Sequence, residues 1–334
     1  PMQIQQITLT HTPQGAPEVS DFAMGHAHLS GPQSGEVLVR VLALSMDPYL
    51  RSAMAGKHLS ASIHPGDLVR GEGLVEVIES HDLRMVVGEK WVAPCGWRTH
   101  AVLDAQSIPQ CRRVDPQINP SSLALGGLGM PGLTAWVGFN LLCQAQPNET
   151  LVVSAASGAV GATVGQLARI AGCRVIGIAG GPEKCDWVKR VAGFNDCIDY
   201  KNTPLTSALK QLCPKGIDVY FDNVVGEVLH AAIENLALHA RVVLCGLMAQ
   251  YNGASPSQLN AGLLIRSRAT VRGLVVYDHW QHMQQMTKEL GAFYQAGQLH
   301  FREDIQHGLT QAPAAFCRLM RGENQGKSVV LLDN

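Results

Sequence analysis

The sharpest change of pattern along the chain comes at Leu151-Val152-Val153-Ser154-Ala155-Ala156-Ser157-Gly158-Ala159-Val160-Gly161-Ala162-Thr163-Val164-Gly165. A short Val-rich apolar run gives way to small residues, and a helical period starts at once. Val160, Val164, Leu167, Ala168 and Ala171 fall at i, i+4, i+7, i+8 and i+11, one face of a helix. Arg174 to Ala179 is a second β-branched run. The stretch therefore predicts strand, glycine turn, helix and strand in succession.

Before it the pattern is of short strands. Gly35 to Ser45 alternates and then turns apolar, and Asp67 to Glu79 alternates with glycine interruptions, as a curved barrel strand does. Val86 to Pro94 and Trp97 to Leu103 follow, so residues 1–124 are expected to form a barrel-like β domain. From residue 125 the period changes. Leu133 to Leu142 predicts a helix with Pro131 at its start. Beyond the central unit, Gly216 to Asp222 predicts a buried strand, Glu227 to His239 a helix, and Ala240 to Cys245 and Thr270 to Val276 two more strands. Asp278 is expected to cap a helix running to about residue 296. Alternation of this kind implies a parallel, doubly wound sheet over residues 125–294. The last apolar run, Lys327 to Leu332, is assigned to the first domain, which residues 295–334 complete. With no long linker in view, the two domains are expected to abut and to bind ligand in the cleft.

Strand, glycine turn and helix together make a dinucleotide site. Gly158 allows a tight turn, Gly161 a close approach of backbone to a pyrophosphate, and Gly165 close packing of helix on sheet. The helix N-terminus turns its amides and the positive end of its dipole to the phosphates. The spacing is G-x-x-G-x-x-x-G, so a glycine-rich turn in any α/β sheet is the alternative. An NAD site usually carries Asp or Glu about 20 residues on, at the tip of the second strand. Here the tip reads Ala179-Gly180-Gly181-Pro182-Glu183-Lys184, with no acid on the strand itself and Lys184 near enough to meet a 2′-phosphate. NADP is favoured over NAD, with Glu183 on the first turn of the next helix as the reservation.

At 334 residues, net charge −1 and 16% charged residues, the chain has no electrostatic footprint for nucleic acid. No apolar run reaches the roughly 18 residues of a membrane span. The first residues, Pro1-Met2-Gln3-Ile4-Gln5-Gln6, lack the charged start and apolar core of a signal peptide, so a cytoplasmic protein is expected. The 9 cysteines form no C-x-x-C, which points to buried free thiols. Among 13 histidines, His26 with His28 and His279 with His282 are closely spaced, but neither pair has a Cys or carboxylate at ligand spacing.

Six stretches carry a resemblance: Met46-Asp-Pro-Tyr-Leu-Arg51, Gly129-Met-Pro-Gly-Leu-Thr-Ala135, Ala155-Ala-Ser-Gly-Ala-Val-Gly161, Tyr220-Phe-Asp-Asn223, Cys245-Gly-Leu-Met-Ala-Gln-Tyr-Asn252 and Gly322-Glu-Asn-Gln-Gly-Lys327. In this order, and over essentially the whole length, the chain resembles the zinc-independent branch of the medium-chain dehydrogenase/reductases, the prostaglandin reductase and alkenal double-bond reductase family. That resemblance implies a GroES-like β-barrel catalytic domain followed by a Rossmann nucleotide-binding domain. It implies NADP(H) as cofactor, an enone or enal as substrate, hydride transfer to the β-carbon, and a homodimer. It also implies that Gly158, Ala159, Val160, Gly161 and Ala162 cradle the pyrophosphate, and that Lys184 and Tyr200 contact the 2′-phosphate end. Asn223, Cys245, Gly246 and Tyr251 would line the nicotinamide half. Leu274, Val275 and Val276 would hold the nicotinamide amide, and Asn324 would reach a phosphate. Tyr49, Met130 and Tyr251 would face substrate, Tyr251 as the catalytic hydrogen-bond donor.

Blander roles exist for some of these: Tyr200 as an edge-packing residue, Asn223 as a turn former, Tyr49 as a core tyrosine. Zinc-dependent relatives keep an early catalytic Cys and a four-Cys loop. Here Met46 stands near the first, and residues 80–115 hold only Cys95 and Cys111, so no metal is expected. Two departures stand out, Gly181 where a Ser is frequent and Val225 where a Gly is usual. A quinone reductase is the rival enzyme, and an NADPH-binding protein without turnover the rival from another class.

Overall fold

The apolar run Val37–Ser45 is the spine of the first of two units. In the computed structural model, which describes residues 1–333 apart from 247 and 253, it pairs antiparallel with Gly73–Ser80, with His100–Leu103 and with Lys327–Leu331. The mixed sheet runs Glu303–His307, Lys327–Leu331, Val37–Ser45, Gly73–Ser80, Lys90–Ala93, Arg112–Arg113. Its core includes Val37, Val39, Val41 and Trp97, with Trp97 stacked on Phe22 at 5.5 Å between ring centroids. This unit comprises Pro1–Leu125, Tyr251, Asn252 and the chain from Glu303 onward.

The patterning did not announce the antiparallel pair Met2–Leu9 and Phe22–Leu29, the short helix Tyr49–Met54, or the helix Ala312–Met320. The buried residues of the first strand, Ile4, Ile7 and Leu9, do not keep a strict period of two, and the second buries only Phe22, so the alternation is broken.

The second unit, Gly126–Gln250 with Ala254–Arg302, holds the parallel sheet. Its strands are β1 (Thr150–Ser154), β2 (Arg174–Ala179), β3 (Asp196–Asp199), β4 (Ile217–Asp222), β5 (Leu236–Leu244) and β6 (Thr270–Gly273), stacked in the order β3-β2-β1-β4-β5-β6. The helices α1 (Ala159–Ile170), α2 (Pro182–Arg190), α3 (Leu205–Leu212) and α4 (Gly226–Glu234) follow the first four strands. The fold is the expected α/β arrangement, a GroES-like β-rich unit and a doubly wound Rossmann sheet.

Several boundaries shift. The helix expected over Glu227–His239 ends at Glu234, and β5 begins at Leu236. His239 takes a left-handed φ of 63°, on a strand whose register against β4 slips between Ile217 and Val219. The helix expected over Leu133–Leu142 starts earlier, at Met130, and widens to a π-helical turn over Gly138–Cys143. Asp278 caps nothing: it lies inside a 3-10 stretch, Val276–His282, and the α-helix is Met283–Gln295. The strand expected to reach Val276 stops at Gly273. Among the described residues no helix is long and apolar enough to cross a membrane.

Candidate functional site

After Ser154 the chain must reverse within a few residues to start α1. Ala155 takes the left-handed step at φ 48°, Ala156 donates to the Ile178 carbonyl of β2 at 3.0 Å, and Gly158 donates back to Ala155 at 3.0 Å. Gly158 then caps α1 in an extended conformation, with no side-chain cap. The first-turn amides of α1 are thus left to an external acceptor, the arrangement that binds an anion.

The glycines of the turn make room for close contacts. Gly158 has an ordinary φ of −76°. A Cβ on Gly161 would lie 2.3 Å from the Ala155 carbonyl oxygen, so this glycine lets the helix close onto its own turn. A Cβ on Gly165 would lie 1.9 Å from the ring of Phe194, so its partner is that ring. Gly158, Ala159 and Val160 are half-buried, and Gly161 and Ala162 are buried.

At the outer end of the same edge, β2 gives way to Gly180 and Gly181, and α2 follows with Lys184 in its first turn. A Cβ on Gly180 would lie 3.1 Å from the Tyr200 hydroxyl and 3.0 Å from Lys201 Cε, so both side chains border this loop. Lys201 was not anticipated. Neither was Asp199, whose Oδ1 accepts from the amides of Gly181 (2.9 Å) and Lys201 (3.1 Å), and whose Oδ2 accepts from Asn202 (2.7 Å). The Asn202 bond first, and the two amides with it, hold this carboxyl below its usual range. The acid missing from the tip of β2 is supplied by β3, with its lone pairs committed to the chain. It lies 18 residues from Gly181, and no local signal could place it there. Gly181 has φ 105°, which a Ser would adopt only under strain. The exposed Glu183 reaches Arg302 at 3.4 Å.

The carboxyl ends of β1 and β4, where the strand order reverses, are bolted together. Buried Asp222 accepts on Oδ1 from Ser154 Oγ (3.1 Å) and from the amides of Val224 (2.7 Å) and Val225 (2.9 Å). Asn223 donates its backbone amide to Ser154 Oγ (2.9 Å) and its side-chain amide to the Ser154 carbonyl (3.0 Å). Burial raises the Asp222 carboxyl above its ordinary value, against those donors. Among the described residues neither its Oδ2 nor the Tyr220 hydroxyl has a partner with full hydrogen-bond geometry, although the two groups interact; burial first, and the Asp222 charge with it, raises that phenol as well.

The loop after β5 is laced onto this turn. Cys245 (2.8 Å) and Gly246 (3.3 Å) donate to the Asp222 carbonyl, Met248 (3.3 Å) to Asn223, and Ala249 (2.9 Å) to Val224. Leu274 extends β6 by one bond to Leu244, at 2.9 Å. Asn223, Cys245, Gly246 and Leu274 therefore converge on one sheet edge, with exposed Val275 and half-buried Val276 following. Such edges, at a reversal of strand order, are where open α/β sheets bind ligands. Burial pushes the Cys245 thiol up to about 12. Val225 carries the cost of its departure: it sits at φ 61°, ψ −152°, a region that suits glycine alone. Met130, half-buried, opens the helix Met130–Val137 of this unit.

In the first unit the Met46–Arg51 stretch is mostly a brace. Asp47, nearly fully buried, accepts from Lys327 Nζ and from Ser45 Oγ, both at 2.8 Å, and Lys327 Nζ also donates to the Met46 carbonyl at 2.9 Å. Arg51 donates to the carbonyls of Gly15 (3.0 Å) and Pro13 (3.2 Å). Tyr49 begins the helix and stacks on His58 at 4.8 Å between centroids. Burial, and secondarily Arg70, lowers that imidazole's pKa. Tyr251 packs half-buried against this unit's core, and Asn252 donates to the Met320 carbonyl at 2.9 Å. Asn324 donates to the Gly326 carbonyl at 2.8 Å, in a turn that Asp304 pins through the Gln325 amide at 2.7 Å. Tyr49, Tyr251 and Asn324 thus belong to the first unit, and the remaining candidates to the second. Leu247, within the stretch expected to line the nicotinamide, lies outside the described residues.

Residues 5–111 match the family described as the N-terminal domain of oxidoreductase, and residues 159–292 the family described as zinc-binding dehydrogenase. The donor set here does not fit that metal. Met46 is a core thioether, burial pushes the thiols of Cys95 and Cys111 up to about 12, and no group of three His, Cys, Asp or Glu among the described residues is placed to hold an ion. The chain is 38% identical to bovine prostaglandin reductase 1, over 95% of each chain. It is 37% identical to the NADP-dependent 2-alkenal reductase of Nicotiana tabacum, over 98% of this chain and 97% of the relative. It superposes on the crystal structure of CurA from Vibrio vulnificus in complex with NADPH with a TM-score of 0.93, at 36% identity over 99% of both chains.

Proposed function

The chain belongs to the prostaglandin reductase and alkenal double-bond reductase family of medium-chain dehydrogenase/reductases, and from that premise we propose that it reduces the carbon–carbon double bond of α,β-unsaturated ketones and aldehydes with NADPH, without zinc. The observation that carries this reading is the uncapped N-terminus of α1 at the reversal of strand order, with Lys184, Tyr200 and Lys201 at the outer end of the same edge. Amides and a helix dipole suit a pyrophosphate, and the cations suit a 2′-phosphate.

NADPH, when bound, supplies the hydride for the β-carbon of the substrate. The chain binds the dinucleotide through Gly158–Ala162, Lys184, Tyr200 and Asn324, and orients its nicotinamide end with Asn223, Cys245, Gly246 and Leu274–Val276. Tyr49 and Met130 border the substrate. As negative charge grows on the carbonyl oxygen, the Tyr251 hydroxyl donates a hydrogen bond to it. Water protonates the α-carbon. Alcohol oxidation would call for a metal or a base to take the hydroxyl proton, and the donor set around Met46 supplies no metal site. Conjugate reduction needs only polarisation, because the substrate is already an electrophile.

The finer assignments follow. All nine cysteines are free, which suits the reducing cytoplasm. The strand β6 is an unpaired edge of the parallel sheet, and two copies joined there form a homodimer. The reaction is tested by NADPH consumption against a panel of enones, enals and quinones, with cofactor deuterated at C4. A saturated carbonyl product labelled at the β-carbon is expected; label on a carbinol carbon would overturn the assignment.

A further inference from the structure

Two thiols that play no part in the proposed reaction meet beneath the cationic end of the nucleotide edge. Cys185 follows Lys184 on α2, and Cys197 lies on β3, three residues before Tyr200. Both are buried, at 6% and 9% exposure, both are free, and their sulfurs are 3.1 Å apart. We infer that Cys185 and Cys197 are a redox pair whose reversible disulfide ties α2 to β3 and weakens NADPH binding; the second half rests on the nucleotide site proposed above.

The pair has the asymmetry that disulfide formation requires. Cys197 donates its S–H to Cys185. That bond is the main reason the Cys185 thiol lies below its ordinary pKa, with Lys189 one helical turn along adding to it, while burial, Asp199 and Asp196 oppose. The Cys197 thiol is raised, by its bond to Cys185 and by burial. Cys185 is the more acidic of the two sulfurs and takes the attacking role, with Cys197 as the resolving thiol.

With hydrogen peroxide as oxidant, the thiolate form of Cys185 attacks an oxygen of the O–O bond, giving a sulfenic acid and, after the leaving hydroxide takes up the proton Cys185 released, water. The Cys197 sulfur then attacks the sulfenic sulfur. The S–S bond forms, the S–O bond breaks, and the departing hydroxide takes the Cys197 proton as a second water. Two electrons pass from the two sulfurs to the peroxide, so two thiols and one hydrogen peroxide yield one disulfide and two waters.

Bonding draws the sulfurs from 3.1 Å to the roughly 2.05 Å of a disulfide, a movement of about 1 Å shared among the two side chains, α2 and β3. Lys184 and the Gly180–Gly181 loop bordered by Tyr200 ride on those elements. A displacement of about that size at a positioning group is enough to degrade binding.

The test uses the folded, reduced enzyme and hydrogen peroxide. After treatment, remaining thiols are alkylated and the non-reduced digest is mapped by mass spectrometry, while NADPH and NADH affinities are measured by fluorescence titration. A Cys185–Cys197 cross-linked peptide is expected, with at least a threefold rise in the Kd for NADPH, little change for NADH, and recovery of both with dithiothreitol. Cys197→Ser, which keeps a donor for Cys185 but cannot close the disulfide, should lose the peroxide effect on NADPH and leave Cys185 as a sulfenic acid trapped by dimedone. A map with both thiols unlinked, or linked only to other cysteines, would overturn the pair. A Cys185–Cys197 disulfide with unaltered NADPH affinity would overturn the control of binding. Failure of the reduced enzyme to bind NADPH would instead overturn the nucleotide reading, with the cross-link still scored by the map.

Discussion

The bond between Lys327 and Asp47 is the place where a single substitution should reveal most about the first unit. Both side chains are almost wholly buried, at 8% and 5% exposure, and among the described residues the carboxylate has one other side-chain donor, Ser45. Lys327→Met keeps the volume of the stem but leaves a buried carboxylate without its counter-charge. Removing one partner of such a pair costs about 3–5 kcal/mol. At about 2–4 °C per kcal/mol for a unit of this size, thermal unfolding should move down by roughly 6–20 °C. Adding Asp47→Asn removes the stranded charge and keeps an oxygen for Ser45, so the double variant should recover about half of the loss or more. Differential scanning calorimetry of the four proteins of the cycle reads both numbers. A double variant no more stable than Lys327→Met would refute the argument, since the stranded charge would then not be the source of the cost.

Lys184→Ala should weaken NADPH binding about ten- to a hundredfold, the value of one charge-assisted contact, and leave NADH nearly unchanged; equal losses in a titration of both cofactors would remove Lys184 from the phosphate site. Tyr251→Phe should lower steady-state enone turnover by roughly ten- to a hundredfold while NADPH affinity holds; unchanged turnover would dismiss it as the donor. Val225→Ala keeps the positive φ and loses buried methyls, for about 1.5–3 kcal/mol, whereas Val225→Gly sheds about 1–3 kcal/mol of strain. Denaturant melts should therefore rank Gly at or above Ala, and the reverse order would mean that the backbone there is relaxed. Prolonged chelation should leave enone reduction intact, with well under one zinc per chain by elemental analysis; a stoichiometric zinc whose removal stops turnover would sink the metal-free mechanism.

Much of the second unit was legible because its strands are buried on both faces. Leu151–Val153 and Val175–Ala179 are accordingly apolar and rich in Val and Ile, and the helix between them keeps one apolar face. What escaped was non-local or carried by small structures. Tyr49–Met54 is six residues long, too short for a period, and its polar side chains are spent on partners far along the chain, such as Arg51 on Pro13 and Gly15. The Asp278 cap failed because a 3-10 stretch intervenes before Met283, and a cap residue says nothing about which helical form follows. The left-handed step of the glycine turn falls on Ala155, a residue whose identity does not advertise it. Asp199 and Lys201 reach the Gly180–Gly181 loop from a neighbouring strand, and only the sheet order brings them there.

The strand Lys327–Leu331 lies beside Val37–Ser45, and the bond that locks it joins residues 280 positions apart. The second unit, apart from one short excursion, is a continuous stretch of chain, so its contacts can form as soon as it is made. The first unit is assembled from stretches on both sides of the second. On a ribosome, Val37–Ser45 waits with one edge bare and Asp47 without its lysine until Lys327–Leu331 has emerged. Loop closure over that span is slow compared with the local contacts of a helix. A sheet left open over so long a stretch of chain is exposed to aggregation until the closing strand arrives.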